Sequence, residues 1–137
     1  MITEEQRYNY IDLYNNIIKA TKTVDDIYSE TTEGYPIFNK LNAASQWLHL
    51  LMCAHYGEEE VDTFRHLLIK DPIVNTVYFI ASERNEILNK LERLLALLAY
   101  NALKLKVKGS KQKMMRSRVY ELCVEAAFIV NGDIEED

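Results

Sequence analysis

From Pro72 to Lys108 the apolar residues fall at helical spacing. Ile73, Val77, Ile80, Ile87, Leu91, Leu94, Leu98 and Leu105 are set mostly three or four apart, with polar breaks at Arg84 and Asn101. A second row, Val74, Ala81, Leu88, Leu95 and Ala102, widens the stripe, as expected of a helix that buries one face. No Gly or Pro interrupts it after Pro72. The pattern predicts one continuous helix over 72–108, about 50 Å long at about 1.5 Å per residue. Such a stripe must be covered by the other helices or by a second copy of the chain. Its length favours a homodimer with this helix as the central element.

The rest of the chain reads the same way. Residues 3–29 predict a first helix, with Thr3 and Gln6 as a capping box. Its seam is rich in tyrosine (Tyr10, Tyr14, Tyr28). Ser29 to Tyr35 is turn-like. A second helix follows from Pro36 to Tyr56, and Gly57 is its natural terminator. Glu58, Glu59, Glu60 and Asp62 crowd the start of a short third helix, where negative charge is favourable. Asp71-Pro72 ends that helix and caps the fourth. Gly109 ends the fourth, and Lys104, Lys106 and Lys108 lie in its last turns. Ser110 caps a fifth helix running to about Val130 with Met115, Val119, Leu122, Ala126 and Ile129 on its inner face. No stretch alternates with period two, so no sheet is expected. The reading is all-α: a single-domain bundle of about five helices over 1–130, with a disordered acidic tail over 131–137.

Composition adds little to that picture. The 137 residues contain only four Gly and two Pro, which favours helices over hairpins. Cys53 and Cys123 each sit in an apolar run and read as buried thiols of a reducing compartment. The opening Met-Ile-Thr-Glu-Glu-Gln carries no secretory pattern. The longest apolar run, Leu94–Tyr100, is far shorter than the roughly 20 residues that cross a bilayer. A cytoplasmic protein without membrane contact is the expectation.

Charge changes the picture more. Residues 1–62 carry eleven acidic and four basic side chains, a net of −7. Residues 104–118 carry Lys104, Lys106, Lys108, Lys111, Lys113, Arg116 and Arg118 and no acid, a net of +7. Cations at the end of the fourth helix complement its dipole, whereas Lys111, Lys113 and Arg116 oppose the dipole of the fifth by roughly 0.3–1 kcal/mol each. Stability alone does not ask for them there. With Ser110 and the first backbone amides of the fifth helix, they form a candidate site for an anion or a nucleic-acid backbone. A solvated surface, pairing with the acidic N-terminal half of the same fold, or an acidic protein partner accounts for the same charges.

Catalytic patterns are missing. His49 and Cys53 share a helical face without matching a zinc spacing. Glu83 and Glu86 form a Glu-x-x-Glu that magnesium could use, and there is no Glu-x-x-His for di-iron. There is no GxxxxGK, GxGxxG or GxSxG. No cofactor or metal is expected. The resulting expectation is a non-enzymatic helical interaction protein, an adaptor or an immunity-type or phage-type inhibitor, working through a protein partner. Its alternative is a nucleic-acid-associated protein that grips phosphates through the 104–118 segment.

Overall fold

The computed structural model describes residues 4–28, 34–68 and 84–134; within the helices, the side chains of 4–8, 26 and 84 lie outside the description. The elements are α1 (Glu4–Tyr28), α2 (Tyr35–Tyr56), α3 (Glu58–Phe64) followed by a 3₁₀ turn at Arg65–Leu67, α4 (Arg84–Leu103) and α5 (Gly109–Asp133). No strand occurs among the described residues. The fold is therefore all-α, as the periodicity predicts.

Four helices close into a ring in the order α1, α2, α5, α4, and each packs along the next. Neighbours run antiparallel. Tyr10 near the start of α1 reaches Lys106, just past the end of α4, and Tyr28 at the end of α1 reaches Asp133 at the end of α5. α3 folds against α2. The enclosed core takes Ile17 and Ala20 from α1, Leu41, Leu48 and Leu51 from α2, Leu91, Leu95 and Leu98 from α4, and Val119, Cys123 and Ala126 from α5. No helix of the described residues is long and apolar enough to cross a membrane.

Three boundaries differ from the sequence reading, each for a tertiary reason. The long helix expected over 72–108 is α4, which ends at Leu103; residues 72–83 and the Asp71-Pro72 cap lie outside the described residues. At its end Lys104 N–H and Leu105 N–H donate to carbonyls three residues back, and residues 106–108 leave the helix. Lys104, Lys106 and Lys108 are thus in a connector and not in the last turns of α4. Nor is α4 the sole centre, because α5 packs along both α2 and α4. The second difference is at α5, whose N-cap is Lys108, with no capping side chain; Ser110 is exposed and does not cap. The third is at the far end, where α5 continues through Asp133, into the segment expected to be a disordered tail. There Tyr28 O–H donates to Asp133 at 2.7 Å and the Asn131 amide donates to both Glu92 oxygens at 3.1 Å. Residues 135–137, the Thr3 cap and the 29–33 turn lie outside the described residues.

The reason to expect a second copy was the length of the fourth helix's stripe. Over the described residues most of that stripe is covered within one chain: Leu88, Leu91, Leu95, Leu98, Ala102 and Leu105 are buried, and Ile87 and Leu94 are half-buried. The seam tyrosines Tyr10 and Tyr28 are buried too, so the tyrosine-rich side of α1 faces inward.

Candidate functional site

The basic segment lies where α4, the 104–108 connector and α5 meet at one end of the ring. Its backbone is pinned from three helices. Tyr10 O–H of α1 donates to Lys106 C=O at 2.6 Å, and Arg116 of α5 donates to Leu105 C=O at 2.9 Å. The Gln112 amide N–H donates to Ala54 C=O of α2 at 3.0 Å, while its oxygen accepts from Lys108 N–H at 2.8 Å. A backbone N–H only donates and a carbonyl only accepts, so these two bonds orient the Gln112 amide. The same oxygen faces His55 Nδ1 at 3.0 Å. His55 must therefore donate from Nδ1, which assigns its tautomer.

His55 stacks on Tyr10 with ring centroids 5.4 Å apart, and Tyr56 meets both rings edge-on. Phe64 of α3 closes the cluster against Tyr56 at 5.7 Å. Burial raises the Tyr10 phenol above its ordinary value, Tyr56 adds to the rise, and Arg116 opposes it. This buried node connects α1, α2, α3 and α5 beneath the connector. Nothing in the sequence announces it, because its bonds link residues as far apart as Tyr10 and Lys106.

The connector itself alternates. Leu105 is buried and Val107 half-buried, while Lys104, Lys106 and Lys108 face out. Lys104 and Leu105 form the turn that ends α4, and the chain is extended by Lys108, at φ −121 and ψ 120. The run Leu105-Lys106-Val107-Lys108 carries that period-two signal in the sequence, which the helical reading of the segment overlooked. Gly109 follows with φ +78, a backbone region that side chains rarely adopt. It turns the chain from the connector into α5.

The predicted site residues therefore divide. Lys104, Lys106, Lys108, Ser110, Lys111 and Lys113 are exposed. None of these five lysines has a carboxylate within ion-pair distance among the described residues. Lys104 sits over the Tyr100 ring, 4.2 Å from its centroid. Lys104 also lines a shallow cleft of ≈ 220 Å³ with Asn9, Asp12 and Asn101 without pairing with Asp12. Arg116 is drawn into the fold by Leu105 C=O, and Arg118 pairs with Glu121 at 3.4 Å. Those two arginines are structural or neutralised and leave the set. The acidic start of α3, Glu58 and Glu59, follows directly on Gly57 and so borders the same end of the bundle.

The sequence reading also missed an apolar surface on α4, which Lys104 meets at Tyr100. Leu97, Tyr100 and Leu103 of α4 are 54%, 56% and 42% exposed. The signal was the unbroken apolar run Leu94–Tyr100, since seven consecutive apolar residues encircle a helix that buries only one side.

Among the described residues no group of three or more His, Cys, Asp or Glu side chains is placed to hold a metal. His49 Nδ1 stands 4.0 Å from Cys53 Sγ, a pair without a third ligand, and Glu83 lies outside the described residues. Burial pushes the Cys123 thiol up to about 12 and raises that of Cys53, the reverse of what a nucleophile needs. No protein-family model, curated protein or solved structure matches this chain, so function rests on the chemistry of this surface.

Proposed function

We propose that the protein acts by binding rather than by catalysis, and that its working surface is the lysine-rich α4–α5 corner, which takes up an acidic region of a protein partner. One observation carries this reading: five exposed lysines have no carboxylate partner among the described residues, and one of them, Lys104, lies over the ring of Tyr100, which is exposed on α4 with Leu97 and Leu103. Apolar contact gives a protein segment affinity and the lysines select its charge. A phosphate backbone makes no use of the leucines. A net charge of −5 and the acids of α3 at the same end also work against a long nucleic acid lying across this surface.

The nucleic-acid reading keeps one supporting observation. No acid occurs between Lys104 and Arg118, and the first turn of α5 has no capping side chain over its amides. One titration separates the two. Fluorescent poly-glutamate and a DNA oligonucleotide of equal length are added to the protein and to Lys108→Ala/Lys111→Ala/Lys113→Ala at low and moderate salt. Arg116 is left intact because it holds the connector. The acidic polypeptide should bind, weaken with salt, and lose affinity in the variant. Preference for DNA would transfer the surface to the second reading, and catalytic turnover by the purified protein would end both.

A further inference from the structure

The outward face of α4 carries a regular pattern. Arg93, Leu97 and Tyr100 of α4, and Lys104 in the turn just beyond its end, follow one another at steps of four, three and four. All four are exposed. This is the spacing of a coiled-coil seam, here turned to solvent and bounded by a cation at each end. Arg93 has no carboxylate within ion-pair distance among the described residues, and Lys104 is held over the Tyr100 ring at 4.2 Å, so the second cation is fixed at the end of the apolar pair. Leu103 flanks the seam beside Tyr100 and broadens it.

We infer that this seam docks an amphipathic, acid-ended α-helix of a partner protein as an additional helix of the bundle. This rests on the proposed function and specifies the partner's form. The partner helix carries a carboxylate, then apolar residues four and seven positions on, then a second carboxylate four positions beyond. The spacing is the same read in either direction, so both parallel and antiparallel helices satisfy it. A second copy of this chain does not. Two such seams laid antiparallel set Arg93 against Lys104 of the other copy, and laid parallel set like against like; either way two desolvated cation pairs oppose the contact. Charge therefore selects an acidic partner helix over self-association through this face.

The probe is a labelled synthetic helix with that acid, apolar, apolar, acid register. Its control has the same composition with the two apolar residues moved to the opposite face. Fluorescence anisotropy should show the register peptide binding about tenfold or more tightly than its control. It should bind Leu97→Ser/Tyr100→Ser weakly, while the far-UV circular dichroism of that variant stays unchanged because both side chains are exposed. Arg93→Glu/Lys104→Glu should lose the acidic peptide and bind instead a peptide with lysines in place of its glutamates. That exchange of specificity does not follow from misfolding. Equal binding of the two peptides, full affinity of the serine variant, or no exchange overturns the inference. If poly-glutamate still binds through Lys108, Lys111 and Lys113 in those outcomes, the broader proposal survives without it. If no acidic probe binds at low salt, both fall.

Discussion

Tyr10 shows how a single side chain sets the geometry of a surface it does not reach. Its ring is fully buried and stacked on His55, and its hydroxyl is bound to Lys106 C=O. Removing that hydroxyl leaves a connector carbonyl without its donor. Tyr10→Phe should therefore cost about 1–2 kcal/mol in a denaturant titration. Gly109 has open space around it, so its constraint is φ alone. Gly109→Ala should cost about 1 kcal/mol, visible as a lowered unfolding midpoint with an unchanged slope. Cys123 gives a pH dependence. Burial raises its thiol from 9.0 to about 12, so the unfolded chain gives up the proton first. Stability is complete below about pH 9 and falls as pH rises from there towards 12. Cys123→Ala should flatten the stability profile across that window in thermal melts at graded pH.

At the level of elements, α5 is held to its neighbours by more than apolar packing. Lys40 of α2 pairs with Glu125 of α5 at 2.8 Å. That hydrogen bond lowers the Glu125 carboxyl below its ordinary value. A depressed carboxyl stabilises the fold above its unfolded value and ceases to do so as pH falls through the folded one. The pair is exposed enough that its worth is about 0.2–1 kcal/mol at most. Glu125→Gln should therefore reduce the loss of stability on acidification by a small, salt-sensitive amount, measured by melts below pH 5. The Gln112 amide matters more to the site, because it joins α2 to the connector. Gln112→Leu should loosen residues 105–108 while sparing the rest of the bundle. Hydrogen exchange at Lys108 N–H is the direct measurement, and unchanged protection there would refute the role assigned to this amide.

The whole molecule is a ring with one shared core, so damage in α4 is felt by its neighbours. Leu95 is fully buried and has no room to be replaced without a void. Leu95→Ala should cost about 2–5 kcal/mol in a single cooperative transition, detected by coincident circular dichroism and fluorescence. The two ends of the ring differ in character. One is tied by Tyr28, Asp133, Asn131 and Glu92. The other gathers the buried aromatic node, the acids of α3 and the lysines, and it borders the exposed part of α4.

The five helices, the inner face of α5 and the stop at Gly57 were legible in the chain, because each follows from neighbours within a few turns. The cluster of positive charge was legible for the same reason. The end of α4 was not. Helical propensity continues through Leu-Lys-Leu-Lys, and it gives way because Tyr10, Gln112 and Arg116 offer the connector other hydrogen bonds. Two of those three side chains were read only as a seam tyrosine and a basic-patch arginine. Whether a tyrosine or an arginine faces water or the interior depends on which helices close around it. That is settled by packing between segments distant in sequence, where local periodicity carries no information.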